Sequence, residues 1–199
     1  TVPKDPQKIA VLSNSVLSML YAVDGKAISR VSTTDPLPPE IEALPVLGQT
    51  ANINMEQLLG LNPDLVLGLE NQHKKYESQL QSSKIPNVLI NYDGIKDNVP
   101  LIKFLGALTN HEDKATTLAN TYESNVNKVK DSVKAQQPAR VAVLRATGKG
   151  VTAETDAAIT ASMVKDLGMT NVVSTHLDKT TTDKTVPYSL ETLAADDPD

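Results

Sequence analysis

One order of signals runs through this chain twice, and it limits the fold more than any single residue does. A short β-branched and apolar run, KIAVLS at residues 8–13, passes into a helical stretch, SNSVLSMLYAVDG. There Asn14 or Ser15 can cap, Val16, Leu17, Leu20, Tyr21 and Val23 make an apolar face, and Gly25 is the stop. AISRVS follows as a second strand, four prolines make TTDPLPPEIEALPVLG an irregular connection, and NMEQLLGLNPD reads as a capped helix before the buried run LVLGL. HKKYESQLQSS predicts a further helix and NVLINY a further strand. At ARVAVLRATGKG the strand-to-loop pattern of KIAVLSNS restarts; a helix stopped by Gly168, the run NVVS and a threonine-rich connection lead to SLETLAADDPD. That last phrase aligns without a gap on NMEQLLGLNPD: Asn54 over Ser189, Glu56 over Glu191, Leu58 over Leu193, Pro63 over Pro198 and Asp64 over Asp199.

Strands alternating with helices need crossover connections, which implies parallel sheets covered on both faces. The expected fold is therefore α/β, with two parallel-sheet, Rossmann-like lobes. Between them, residues 111–136 contain no glycine or proline, and Ala115, Leu118, Ala119, Tyr122, Val126, Val129 and Val133 recur every three or four positions. At about 1.5 Å per residue such a helix is roughly 40 Å long, enough to bridge two bodies. The expected boundaries are an N-terminal lobe over 1–109, a bridging helix over 110–137 ended by Pro138, and a partial C-terminal lobe over 138–199.

Ligands of parallel sheets bind beyond the carboxyl ends of the strands. The candidates there are Ser13, Asn14 and Ser15, then Ser32, Thr33 and Thr34, then Glu70, Asn71 and Gln72, and finally Tyr92 and Asp93. Ordinary turn chemistry is the competing reading for each. In each repeated phrase Asn54 or Ser189 is a good N-cap, with Gln57 at capping-box spacing, and each glutamate lies in a first turn favoured by the helix dipole.

A net charge of −5 without a basic patch argues against nucleic acid as partner. No apolar run approaches the roughly 20 residues that span a bilayer. Zero cysteines exclude thiolate metal sites, disulfides and cysteine nucleophiles. ATGKG lacks the spacing of a phosphate loop and is read as a flexible loop; no nucleophile elbow is present. His73, His111 and His176 share no ligand-like spacing, although His73 and His176 each fall shortly after a predicted strand, where a ligand or metal role is open. No catalytic constellation assembles, so an enzyme is not expected, and neither is a resident cofactor or metal.

Together, VPKDPQKIAVLS, LPVLGQTANINMEQLLGLNPDLVLG, FLGALTNHEDKATTLANTYESNV and LGMTNVVS with VPYSLETLAADDPD resemble a class III solute-binding protein of an ABC importer, over about Val2 to Asp199. That group delivers ferric siderophores, haem or cobalamin. The resemblance implies two lobes joined by one rigid helix, a ligand held in the cleft between them, and an extracytoplasmic setting, either periplasmic or as a cell-surface lipoprotein. It implies that Glu56 and Glu191 stand on the outer tips and dock onto arginines of the membrane permease, where bidentate pairing fixes orientation. On the second lobe it implies Arg145, opposite an anionic ferric siderophore or a haem propionate, and Tyr188, an aromatic turned toward the cleft. Ala51 stands in GQTAN where some haem binders place an axial methionine, which lowers haem relative to a siderophore. Relatives continue past the second Pro-Asp, so the sequence is expected to be a truncated product of a protein that is monomeric at full length. A doubly wound or chelatase-like enzyme and a free-metal binder are the alternatives.

Overall fold

The computed structural model of the chain describes residues 2–134, 139–148, 150–178 and 181–199. Two compact units divide it: the chain up to Tyr92 with Val99–Asn120, and Asp93–Asn98 with the described residues from Thr121 to Asp199.

In the first unit, strand β1 (Ile9–Val11) and helix α1 (Asn14–Ala22) are followed by α2 (Pro39–Glu42), β2 (Gly48–Gln49), β3 (Asn52–Ile53) and α3 (Met55–Gly60). Strand β4 (Leu65–Leu69), helices α4 (Glu70–His73) and α5 (Glu77–Ser82) and strand β5 (Asn87–Ile90) come next. β1, β4 and β5 form a parallel sheet with β4 in the middle, Ile9 opposite Leu65 and Val66 opposite Asn87. A central parallel strand is covered on both faces and reads as one apolar run, which is what LVLGL is. Side chains alternate across it. Ile9, Val11, Leu65 and Leu67 share one core with Val16, Leu17 and Leu20 of α1 and with Leu101, Ile102 and Leu105. Ala10, Leu12 and Val66 face another, made with Leu47, Ile53, Leu58 and Leu80.

AISRVS, expected as a second strand, makes single bridges only, Ala10 to Ser29 and Arg30 to Val46. Its amides alternate partners: Ile28 N–H reaches the Ile9 carbonyl, Arg30 N–H that of Pro45 and Ser32 N–H that of Gly48. A segment shared between two neighbours, one of them proline-interrupted, cannot build a continuous ladder. Helix α1 also stops differently from expectation. Asp24, at φ 64°, takes the left-handed position in place of Gly25, whose N–H bonds back to the Leu20 carbonyl at 2.9 Å.

Helices α6 (Asn98–Leu108) and α7 (Glu112–Lys134) follow. They approach closely at Gly106, where a Cβ would lie 2.2 Å from that of Ala115. The division between units falls inside α7, after Asn120. Its apolar stripe is unevenly used: Ala115 and Ala119 are buried, whereas Val129 is half exposed. The expected last residues of that helix, and Pro138, lie outside the described residues.

The second unit departs from a simple repeat. Strand β6 (Arg140–Val141) pairs in parallel with β9 (Thr170–Asn171), but β7 (Leu144–Thr147), β8 (Gly150–Glu154) and β10 (Thr185–Pro187) form an antiparallel sheet with β8 central. ATGKG, read as a loop, therefore contains the turn of a hairpin in which Thr147 pairs with Gly150, and Lys149 lies outside the described residues. Antiparallel strands can be joined by so short a link, whereas parallel ones cannot. Helices α8 (Ile159–Asp166) and α9 (Leu190–Asp196) complete the unit. Its buried apolar side chains, among the described residues, are Ala153, Ala158, Ala161, Val172 and Val173, a smaller core than that of the first unit.

Candidate functional site

The carboxyl ends of the first unit's strands gather polar side chains around an open hollow of about 510 Å³, lined by Ser32, Thr33, Thr34, Gln49, Thr50, Ala51 and Gln72. Of the expected residues, Ser32, Thr33, Thr34 and Gln72 come together here. Asn14 adjoins them by donating from Nδ2 to the Ser32 carbonyl at 3.3 Å, while its buried Oδ1 has no protein partner. Ser13 is buried, and its hydroxyl lies 2.8 Å from that of Ser15, so the pair braces the turn into α1 outside the lining. Thr33 also closes a local turn, its hydroxyl donating to Asp35 and accepting the Asp35 N–H. Asn71 is exposed beside the hollow without lining it, and Glu70 pairs with Lys74 on the surface at 3.0 Å. Tyr92 is half-buried and packs against the first core.

Sequence reasoning did not place Gln49 and Thr50 in the wall. They belong to the β2–β3 hairpin, in which Gly48 pairs with Ile53 and which is also held by residues distant in sequence, His73 and Lys75 on the Thr50 and Ala51 carbonyls. The signal was GQTAN itself, a polar run just before the capped phrase. Directly behind it lies His73, fully buried, with Nδ1 accepting the Leu69 N–H and Nε2 donating to the Thr50 carbonyl, both at 2.8 Å. Burial holds its pKa below the ordinary histidine value against the raising effect of the bond to the Thr50 carbonyl. Both ring nitrogens are used, so His73 has no lone pair to offer a metal.

Smaller sets lie in the second unit. Asp93, Gly94, Ile95, Lys96, Asp156, Ala157, Ser162 and Asp166 surround about 300 Å³. Arg145, on β7, is mostly exposed and its Nε is 3.5 Å from Glu154 Oε1, whose other oxygen is buried without a partner. Tyr188 donates its hydroxyl to Asp196, which His176 Nε2 also contacts and whose carbonyl accepts from Arg140 Nη2 at 2.6 Å. Burial and the Asp196 carboxylate push the Tyr188 phenol up to about 12. The hydrogen bond from Tyr188, aided by His176 and Arg140, holds the Asp196 carboxyl below its usual value. Tyr188 and His176 thus fasten α9 to its unit. Among the described residues, no three His, Asp or Glu side chains are grouped to hold a metal ion.

The repeated phrase is a repeated structure. Asn54 Oδ1 accepts the Gln57 N–H, and Ser189 Oγ the Thr192 N–H, both at 3.0 Å. Asn54 gives its own N–H to the Leu47 carbonyl, so the capping box is not completed by Gln57. Glu56 and Glu191 are exposed in the first turns of α3 and α9. At the other end of each phrase the residue before proline, Asn62 or Asp197, is left-handed, with φ 50° and 44°. The aspartate after it then grips a strand. Asp64 accepts the Gln7 and Lys8 N–H groups at 2.8 and 2.9 Å and donates its own N–H to the Lys8 carbonyl. Asp199 accepts the Arg140 N–H at 2.8 Å and donates to the Arg140 carbonyl.

Residues 9–199 match the profile of the periplasmic binding protein family. The chain is 26% identical over 142 residues to a vitamin B12-binding protein of Pectobacterium atrosepticum, covering 70% of this chain and 51% of that protein. It is 27% identical over 139 residues to an ABC transporter substrate-binding lipoprotein of Bacillus subtilis, covering 67% and 44%. The chain spans about half the length of the curated relatives it matches. Among solved structures, an ABC transporter substrate-binding protein from Listeria monocytogenes superposes with a TM-score of 0.82 at 22% identity, covering 98% of this chain and 73% of that one. That likeness is one of fold.

Proposed function

Because the chain belongs to the periplasmic binding protein family, we propose that it captures a metal chelate outside the cytoplasm and hands it to an ABC permease. A ferric siderophore is the first choice of ligand, with haem or cobalamin as the related ones. The observation that carries this reading is the hollow at the strand ends, whose lining of hydroxyls, side-chain amides and Ala51 offers hydrogen bonds to an oxygen-rich ligand periphery and no ring for stacking. Thr33, Thr34 and Gln72 are its contact residues, joined by Gln49 and Thr50. Arg145 contributes less than its charge suggests, because an anionic ligand has to compete with Glu154 for the guanidinium. Glu56 and Glu191 dock the permease. Both carboxylates are exposed at helix N-termini and free of ion pairs among the described residues, so pairing with a guanidinium breaks no existing bridge. The likeness to a substrate-binding lipoprotein favours a cell-surface or periplasmic setting.

Titration by calorimetry with a ferric hydroxamate, a ferric catecholate, haemin and cobalamin, beside free divalent metal, tests the reading. Saturable one-to-one binding of one chelate supports it. Binding of the free metal alone, or chemical turnover of a bound compound, overturns it.

A further inference from the structure

The wall of the hollow is held from behind by three consecutive contacts of one segment. His73 Nε2 donates to the Thr50 carbonyl at 2.8 Å, Lys75 Nζ donates to the Ala51 carbonyl at 2.7 Å, and the Tyr76 hydroxyl accepts the Ile53 N–H at 2.9 Å. Thr50 and Ala51 line the hollow, and the segment's own Gln72 lines it too. The β2–β3 hairpin is only two residues long on each side, so its own ladder fixes it weakly and the clasp supplies outside anchors. The fit under β4 depends on Gly68. A Cβ there would lie 3.0 Å from His73 Nδ1 and 3.2 Å from its Cβ, so the glycine makes room for the imidazole. Lys75 lies 5.0 Å over the Tyr76 ring, and the Tyr76 and His73 rings lie 6.4 Å apart, so the three side chains also support one another.

Resting on the capture reading above, we propose that His73, Lys75 and Tyr76 are positioning residues that set the Gln49–Ala51 wall for ligand, and that protonation of His73 releases it. The Leu69 N–H can only donate, so Nδ1 must be the bare nitrogen and Nε2 must carry the proton. A second proton has to go onto Nδ1, where it meets the Leu69 N–H head on; the ring then leaves one bond or both. Lys75 and Tyr76 are the titratable side chains that face it on its own segment, and Lys75 opposes the added charge. β4 and the hairpin present backbone groups to it, the Leu69 amide and the Thr50 carbonyl. Acid thus loosens the ligand wall.

Hydrogen–deuterium exchange of the chain, corrected for intrinsic rates, reads this from about pH 7.5 to about pH 5, across the histidine range. In the wild type, amides of residues 49–53 should exchange about tenfold faster at the acid end, the effect of losing one anchoring hydrogen bond. His73→Gln keeps a donor and an acceptor without a titrating proton, so its profile should be flat, whereas His73→Leu should be loose throughout. Lys75→Met and Tyr76→Phe, which leave the buried imidazole in place, should loosen the same amides at both pH values with melting temperature little changed. Affinity for whichever of ferrichrome, haemin or cobalamin the wild type binds should fall in parallel. Hairpin exchange indifferent to these variants, or a loosened hairpin with unchanged affinity, overturns the proposal. If the wild type binds none of the probes, the capture reading falls while exchange alone decides the clasp.

Discussion

The two Pro-Asp phrases end in the same grip on units that are built differently, and the contrast separates what each part of the phrase does. In the first unit Asp64 holds the Gln7 and Lys8 amides, and the chain runs on into β4, which lies beside β1 with Ile9 opposite Leu65. In the second, Asp199 holds the Arg140 amide at the head of β6, which pairs in parallel with β9 alone, the unit's three-stranded sheet being antiparallel. The grip is therefore local, made by one aspartate on the backbone at the head of one strand. The aspartate fastens the phrase to a strand, the N-cap starts the helix, and the exposed glutamate between them has no structural task that the neighbouring residues leave undone.

That division of labour is open to direct attack. The largest effect expected is on transport: Glu56→Ala together with Glu191→Ala should abolish uptake in cells while ligand affinity and melting temperature stay near the wild type, since an exposed first-turn carboxylate adds only about 0.3–1 kcal/mol to its helix. Unchanged uptake would return both residues to helix-end electrostatics. Next in size is the difference between the two cores. Leu67→Ala empties a fully buried site in β4 and should cost about 3 kcal/mol in denaturant unfolding, whereas Leu144→Ala, at a half-exposed site on β7, should stay within about 0.5 kcal/mol. Equal costs would mean that the second unit is as tightly packed as the first.

Smaller still are the grips themselves. Asp64→Ala strips a charged acceptor from two amides and should destabilise by about 1–2 kcal/mol; Asp199→Ala, with one amide bond, should cost less. Reversal of that order would break the equivalence of the two phrases.

Acid should also separate the units. His73 is held below the ordinary value by burial, so the unfolded chain takes up a proton where the native one does not. The first unit loses stability as pH falls from the ordinary histidine value, about 6.5, toward the depressed one, and the loss then levels off. Asp196 is held below the carboxylate value by Tyr188, His176 and Arg140. Its contribution is complete above the ordinary carboxylate value and is lost as pH falls through the depressed one. Exchange mapped along a pH series should therefore loosen residues 49–53 before α9.

Much of this was legible because the signals are local. Asn54 and Ser189 announce their helices with a side-chain oxygen three residues from the amide each accepts, and the period of residues 112–134 needs no partner to be read. β1, β4 and β5 were found because buried parallel strands are continuous apolar runs. The hairpin of β7 and β8 was missed because LRAT and VTAE alternate weakly and the burial that defines a strand is slight: all four residues of β7 are exposed. AISRVS has strand composition but shares its amides between two neighbours, a fact of tertiary context. The wall at Gln49 and Thr50, and the clasp behind it, depend on contacts more than 20 residues apart in sequence, between Thr50 and His73 and between Ala51 and Lys75, which no periodicity reports. His73 falls just after a predicted strand, but its spacing does not tell a ligand from a brace.

The central claim is that the polar hollow at the strand ends of the first unit meets the ligand. Comparing the affinity of the wild type with that of Gln72→Ala and Thr33→Val, for the chelate that binds tightest in the titration, tests it most directly. Each substitution should weaken binding about tenfold, the loss of one good hydrogen bond, with the melting temperature held. Affinities equal to that of the wild type in both variants would place the ligand elsewhere.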